Sequence, residues 1–320
     1  MTPELTVVVP SRDRPIRLRW LLNALEEQTL DRSRWRLVVV HDSAELETDK
    51  LLATHPLSGS VDLQVIRLPR GSTAASKRTA GLKAAGTRWV AFTHDDCRPP
   101  ARWLEIALRH ALKNPAAILA GPVRPHPDEV GLEALSSLAT SKDRDATKGL
   151  ADGANAVYPT ALIEGLGGFP EALSYLDEAV VRDRAKAAGV KVIAVDEMVT
   201  FHAVVIRSML NLVWRAGVRS ELPHAVALQP RLRRSLACGV ADGPSHILLA
   251  AAFAGLVTAR HRPATVLLAA PWAAAHWHPH SRSWRGVVRS LTELPGEALV
   301  QAVEVAANVH GSLRNRSFAL

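Results

Sequence analysis

Asp95 and Asp96 are adjacent carboxylates that close an apolar, strand-like run, Trp89 to Thr93, as His94-Asp95-Asp96-Cys97. Side chains alternate in direction along a strand, so one of the two acids can face a metal or a sugar while the other braces a loop. Adjacent acids are hard oxygen ligands that favour Mg²⁺ or Mn²⁺, and such a cation commonly bridges a diphosphate. Taken alone, the pair also reads as a surface turn. A second candidate, His276-Trp277-His278-Pro279-His280, has histidine spacing that invites a metal, but Pro279 breaks helix geometry and no Cys or acid lies near, so no site is expected there. The two cysteines, Cys97 and Cys238, stand in contexts too different for a disulfide framework or a zinc cluster.

The elements that must hold these residues follow from the apolar pattern. Leu5 to Pro10, Arg36 to His41, Val61 to Leu68 and Trp89 to Thr93 read as strands, with Leu18, Leu21, Leu22 and Leu25 at helix spacing after the first. Thr73 to Ala85 and Trp103 to Leu112 read as helices, and Ile118 to Val123 as a further strand. Gly167 to Glu171 is a turn, Asp177 to Ala188 a helix, and Val190 to Val195 an edge strand. The alternating charges of Ser141 to Lys148 suit a loop or a solvated helix. Strands alternating with helices argue for a doubly wound α/β sheet, parallel by this pattern, in which ligands bind where strands end. Asp95 and Asp96 are at such an end. Beyond Val205 the alternation stops, and Ser208 to Arg219 and Leu299 to Val309 read as helices.

An ordered series of motifs resembles the family 2 glycosyltransferases of the GT-A fold. Val7-Val8-Val9-Pro10-Ser11-Arg12-Asp13-Arg14-Pro15 is similar to that family's opening strand and nucleotide loop, and Val39-Val40-His41-Asp42-Ser43 to its second strand end. Lys77-Arg78-Thr79-Ala80-Gly81 resembles its Arg-Asn-x-Gly helix, Phe92-Thr93-His94-Asp95-Asp96 its Asp-x-Asp strand end, and Gly167-Gly168-Phe169-Pro170-Glu171 its Gly-Gly-Phe-Asp-Glu turn. Asp177-Glu178 stands at the Glu-Asp pair that opens its acceptor helix, and His202 at a histidine that often closes its metal site.

The resemblance spans residues 5 to 204 and implies a GT-A-like doubly wound mixed sheet over 1–204, a nucleotide-sugar-binding catalytic domain, followed by a smaller, mostly helical region over 205–320. It implies that Asp96 and His202 hold a divalent cation, Mn²⁺ or Mg²⁺, against the diphosphate of a nucleotide-sugar donor. Pro10, Ser11, Arg12, Asp42, Arg78, His94 and Asp95 would border the donor, with Asp42 accepting from the base's imino group and Arg78 at a phosphate. Glu178 or Asp177 would take the proton of an acceptor hydroxyl, on a glycan or a lipid-linked carrier, in one displacement with inversion. Without the resemblance, Asp177-Glu178 is the acidic first turn of a helix, His202 a core histidine and Arg78 a solvated helix residue. Four departures stand out: His94 replaces the first Asp of Asp-x-Asp, the Glu-Asp pair is swapped to Asp177-Glu178, His41 replaces another acid and Thr79 replaces Asn. The first two motivate an alternative, a catalytically silent relative that binds a nucleotide or glycan in a membrane-associated complex. A nucleotidyltransferase would want a Gly-rich phosphate loop, and Ser11 to Pro15 has no Gly.

The chain has 320 residues, 48% of them hydrophobic, and a formal charge of +8. Val205 to Leu320 carries thirteen Arg, no Lys and five acids, which equals that whole surplus, so the first region is neutral. Its apolar segments, Ile247 to Ala259 and Ala264 to His276, fall short of the ~20 residues that cross a bilayer as a helix. Flanked by Arg231, Arg233, Arg234, Arg260 and Arg262, they suit peripheral contact with an anionic membrane, with Trp272, Trp277 and Trp284 at the interface. The competing reading is a soluble helical subdomain. No nucleic-acid recognition motif accompanies the basic charge. No secretion signal is seen at the N-terminus, so the expected location is cytoplasmic, peripheral on the inner face of the plasma membrane.

Overall fold

A computed structural model of the chain describes residues 2–135, 139–146, 153–174, 176–218, 221–241, 243–277 and 283–319. Thr147 and Lys148 of the charged stretch, Arg219, and His278, Pro279 and His280 lie outside the described residues. The chain divides into two units, Met1–Gly131 with Ser141–Val205, and Leu132–Thr140 with Ile206–Leu320.

The first unit is built on strands β1 (Leu5–Ser11), β2 (Trp35–His41), β3 (Asp62–Arg67), β4 (Trp89–Phe92), β5 (Cys97–Arg98), β6 (Ile118–Ala120), β7 (Val123–Pro125), β8 (Ala156–Pro159), β9 (Val192–Ala194) and β10 (Thr200–His202). Seven of them form one sheet in the order β9-β6-β8-β4-β1-β2-β3. All neighbours are parallel except β8, which runs antiparallel to both β4 and β6. The sheet is therefore mixed, and the alternation that argued for a parallel sheet fails at β8. That strand has four buried residues and no alternation by which the sequence could announce it. A second sheet, β5-β10-β7, covers the strand ends. Ile118 to Val123, read as one strand, is split between the sheets at Gly121-Pro122. A Cβ on Gly121 would overlap the Met198 carbonyl and the Asn155 amide.

Helices α1 (Pro15–Glu26), α2 (Glu47–Thr54), α3 (Ala74–Ala84), α4 (Trp103–Lys113), α5 (Thr160–Gly165) and α6 (Asp177–Ala187) accompany the strands. Because both faces are covered, the central strands are near-continuous apolar runs. Val7, Val9, Leu37, Val39 and Ala91 pack with Leu18, Leu21 and Leu22 of α1 and Trp103, Leu104 and Leu108 of α4. The alternate residues, Val8, Val38, Val40, Val90 and Phe92, pack with Leu82 of α3 and Val181 of α6. Each fully buried Val or Leu contributes about 1.5–3 kcal/mol, which fixes the strand ends that carry the polar residues. Pro15 presets the first turn of α1, and the Thr73 hydroxyl caps α3 by accepting from Ser76 N at 3.0 Å.

The second unit contains α7 (Met209–Val218), α8 (Leu222–Leu228), α9 (Pro244–Thr258), α10 (Ala270–Ala275) and α11 (Trp284–Asn315), with a 3₁₀ stretch over Pro263–Ala269. The expected helix Leu299 to Val309 is the later part of α11, which starts at Trp284 and carries Pro295 in its interior. The apolar segment from Ala264 is half 3₁₀ and half α. Among the described residues, no helix is long and apolar enough to cross a membrane.

Candidate active site

The C-terminal ends of β1, β2 and β4 converge on the acids. Ser11 Oγ donates to Asp95 Oδ2 at 2.8 Å and Arg12 N to the same oxygen at 3.4 Å, so Asp95 ties the end of β4 to the loop after β1. Burial, and the charge of neighbouring Asp96, push its carboxyl up despite the nearby Arg14 guanidinium. Arg14 reaches Asp95 Oδ1 at 3.3 Å and Asp96 Oδ2 at 2.7 Å. That leaves the other oxygen of Asp96, Oδ1, fully buried and without a hydrogen-bond donor among the described residues.

Asp96 Oδ1 faces His202 Nε2 at 3.3 Å. The His202 ring is oriented by its other nitrogen: Nδ1 lies 2.8 Å from the Ala203 carbonyl, which only accepts, so the ring proton belongs there and Nε2 is a bare lone pair. Burial pushes the imidazole below its usual value and favours this neutral form. A carboxylate oxygen and an imidazole nitrogen facing each other share a proton as an ion pair or, with that proton absent, can ligate one cation. His94 completes the group, the donor atoms of His94, Asp96 and His202 lying within 4.8 Å of one another. His94 and Asp96 lie in the turn that follows β4. Burial opposes the charge of Asp96, yet the positive charge that His202 carries when protonated, with His94 and Arg14, lowers its carboxyl pKa, so either a proton or a cation between Asp96 and His202 favours the carboxylate. The residues present therefore fit a divalent cation.

Asp42, at the end of β2, is buried and engaged on both oxygens. Arg12 Nε donates to Oδ1 at 3.0 Å and Oδ2 at 2.8 Å, Gly71 N donates to Oδ2 at 3.0 Å, and Lys77 of α3 pairs with Oδ1. These donors overcome burial and lower its pKa. Asp13, in the left-handed region at φ +48°, accepts from Ala44 N at 2.8 Å and joins the loops after β1 and β2. Beyond Asp42 opens a cleft of about 470 Å³ lined by Ser43, Ala44, Arg67, Leu68, Pro69 and Arg70, away from the His94 group.

Arg78 of α3 lies on the other side. Its Nη1 donates to Asp177 Oδ2 at 2.6 Å, its Nη2 pairs with Glu178 Oε1 and lies 3.2 Å from His94 Nε2, and its guanidinium stacks 5.7 Å from the Phe169 ring. Phe169 belongs to the Gly167-Gly168 turn, where both glycines have positive φ. Asp177 and Glu178 open α6 after Leu176, held at φ +69°, a strained conformation for a Leu. The side chain of Asp177 is 4% exposed and that of Glu178 19%. Burial pushes Asp177 up, with Arg78 opposing; for Glu178 burial is outweighed by Arg78 and His94, which hold it well below the usual carboxylate range. Gly153 permits this approach, since a Cβ there would overlap Glu178 Oε1.

The residues named from sequence thus fall into four contacting groups at the strand ends: Ser11 and Arg12 with Asp95; Asp96 with His202 and, close by, His94; Arg12 with Asp42; and Arg78 with His94, Asp177 and Glu178. Pro10 is the penultimate residue of β1, half-buried. Arg78 is buried between acids rather than solvated. Sequence reading missed Lys77, Arg14 and the clamp made by Asn155, whose Oδ1 accepts from Trp103 Nε1 at 2.8 Å while Nδ2 donates to the carbonyls of Pro122 and Met198. Lys77 was legible only as a basic residue inside the Arg-Asn-x-Gly-like motif. His94, placed among the donor-binding residues, stands with the metal group.

Residues 6–162 match the family described as Glycosyl transferase family 2. A Pre-mycofactocin glycosyltransferase of Mycobacterium tuberculosis is 29% identical over 183 residues, covering 53% of this chain and 36% of that protein, so the chain spans about a third of the length of the curated relatives it matches. In structure, the chain is similar to the mannosyltransferase PcManGT of Pyrobaculum calidifontis, in complex with GDP-Man and Mn²⁺, at a TM-score of 0.58 and 21% identity, over 97% of this chain and 87% of that one. It is also similar to S. aureus TarS 1-349 in complex with UDP-GlcNAc, at a TM-score of 0.54 and 16% identity, over 98% and 92%. At these identities the structural likeness speaks for the fold. The domain that holds these strand-end acids matches glycosyl transferase family 2 over residues 6–162, and the chain has the GT-A fold, with a helical region after it.

Proposed function

We propose that this chain transfers a sugar from a nucleotide-sugar donor to an acceptor hydroxyl, with inversion and with a divalent cation held by Asp96, His202 and His94. The observation that carries the reading is the pair of facing acceptors, Asp96 Oδ1 and His202 Nε2, with His94 beside them at the end of β4. Such a cation, when bound, offsets the charge that develops on the leaving diphosphate. The family match supports the reaction class, and neighbours in fold that hold GDP-Man with Mn²⁺ or UDP-GlcNAc support the donor class.

The chain's own residues supply the rest. Asp42 holds Arg12 and Lys77 between the metal group and the cleft of Arg67 and Arg70, so two cations border the path of a nucleoside diphosphate. With its carboxylate spent on those donors, Asp42 acts by placing them rather than by reading a base. Of the two acids on α6, Asp177 anchors Arg78, and Glu178, the more accessible and always ionised at neutral pH, takes the acceptor proton as its oxygen bonds to the anomeric carbon and the bond to the phosphate oxygen breaks. The acceptor is a glycan or a lipid-linked carrier, and residues 205–320 make peripheral contact with an anionic membrane. A second reading, binding without turnover, draws on the Arg78–Glu178 pair, which occupies the base. A thermal-shift screen of UDP, GDP and dTDP with Mn²⁺, followed by donor hydrolysis with the nucleotide sugar that binds, decides between them. Binding with turnover that Glu178→Gln abolishes supports transfer; binding without turnover supports the second reading; no shift with any nucleotide contradicts both.

A further inference from the structure

Helix α11 is inverted. Along its 32 residues, about 48 Å, the positions at three-to-four-residue spacing that face outward are apolar: Trp284, Val288, Leu291, Leu299, Val309 and Leu313 are exposed, Trp284 at 71% and Leu313 at 78%. The residues between them at this spacing, Pro295, Ala302 and Ala306, are exposed and uncharged too, so the stripe runs the helix's length. The buried face is polar instead, with Ser290, Gln301, Glu304, Asn308 and Ser312. Its partners explain the inversion. Gln301 accepts from Trp272 Nε1 at 2.9 Å and its amide lies 2.5 Å from His276 Nε2, while Glu304 lies 3.1 Å from His246 Nε2. A helix in water buries its apolar stripe, so one that hides its polar residues and presents the apolar ones is built for an apolar medium.

The segment that supplies those partners behaves in the same way. Helix α9 and the 3₁₀ stretch after it are held together by Thr265, whose hydroxyl donates to the Gly255 carbonyl at 2.9 Å; Gly255 has no room for a Cβ against Thr265 O and Leu268. The resulting hairpin leaves Phe253, Leu256 and Leu267 largely exposed, Phe253 at 69%. Its turn is Arg260-His261-Arg262, and Pro244 to Trp277 contains no Asp or Glu. Arg285 lies 5.6 Å over the exposed Trp284 ring, a base set on an apolar stem. Exposed apolar area of this extent marks a contact surface, and the acid-free, Arg-bearing hairpin fits an anionic partner.

We propose that this unit is a lipid-docking module that lies on an anionic membrane surface, its apolar stripe on α11 and its α9 hairpin entering the headgroup boundary and Arg260, Arg262 and Arg285 meeting lipid phosphates. This deepens the membrane contact proposed above and is independent of the transferase reading.

The test is sedimentation of the full chain with vesicles of phosphatidylcholine alone or mixed in equal parts with phosphatidylglycerol, at low salt, reading tryptophan emission in parallel. Binding to mixed vesicles with a blue shift, and much weaker binding to phosphatidylcholine, is expected. Each Arg at the surface is worth about fivefold in partitioning, so R260E/R262E lowers it by about 25-fold or more. L291S/L299S lowers binding to both vesicle types while leaving the melting temperature in place, because both residues are exposed. Recovery in the supernatant with either lipid overturns the proposal, as does unchanged partitioning of both variants. Concentration-dependent self-association without vesicle binding overturns it too, in favour of a second copy of this chain. Nucleotide thermal shifts on the same samples report the catalytic reading separately.

Discussion

Replacing Arg78 by Met keeps the length and apolar stem of the side chain and removes the charge that faces Asp177 and Glu178. Taking one partner from a buried ion pair costs about 3–5 kcal/mol, because the carboxylates left behind are uncompensated. Glu178 is partly accessible and water will soften its isolation, so about 3 kcal/mol is the expected loss. For a unit of this size that is about 6–12 °C in melting temperature. The pH dependence gives a sharper signature. In the wild type Glu178 is held well below the usual range by Arg78 after burial is overcome. Its contribution is therefore present above the unfolded carboxyl pKa and lost as pH falls through the folded one. In the variant both carboxyls are raised by burial without the cation, so the folded state gains protons first and is stabilised as pH falls. The gap between the two proteins closes from neutral pH toward about pH 4. Urea denaturation followed by tryptophan fluorescence across that range reads it, and R78M/D177N should recover part of the loss. A variant within about 1 kcal/mol of wild type at neutral pH, or a gap that does not change with pH, refutes the reasoning.

Three further outcomes follow from the packing. Gly81→Ala drives a Cβ into Val8 Cγ1 where α3 crosses β1, and overpacking of this kind costs about 1–3 kcal/mol; an unchanged denaturation midpoint would show that the helix can shift. Asn155→Ala leaves Trp103 Nε1 and the carbonyls of Pro122 and Met198 without their partner, at about 1–3 kcal/mol per group, with a loss below 1 kcal/mol counting against the clamp. His41 and His55 have pKa values lowered first by burial, and His55 Nδ1 accepts from Leu57 N. Below the unfolded histidine pKa of about 6.5 the unfolded chain binds protons that the folded one refuses. Melting temperature should thus fall as pH drops from about 7.5 to about 5.5, and a flat profile contradicts that burial.

The strands that carry the acids were legible because their apolar runs are bounded by polar, chemistry-bearing ends: Leu5 to Pro10 became Leu5–Ser11, and Trp89 to Thr93 became Trp89–Phe92. Ala156–Pro159 was not legible, because a four-residue strand buried on both faces has neither length nor period. Pro295 stands inside α11, where sequence rules would end a helix. The site was readable as a set of residues but not as a set of partners. Nothing in the spacing of Asp42 and Lys77, or of Arg78 and Asp177, says that each cation is consumed by an acid from another element; only the sheet brings them together. His94 looked like a lost ligand by comparison with the family pattern. In the fold one of its nitrogens lies within 4.8 Å of ligand atoms of Asp96 and His202, so a nitrogen stands where the pattern has an oxygen.

Whether His94, Asp96 and His202 hold a divalent cation is read by Mn²⁺ titration followed by electron paramagnetic resonance. Wild type should remove one Mn²⁺ per chain from the free signal, and Asp96→Asn, which keeps the shape but takes away the charge and leaves an amide facing His202, should weaken binding by about tenfold or more. Equal binding by both proteins, or none by the wild type, would contradict the account.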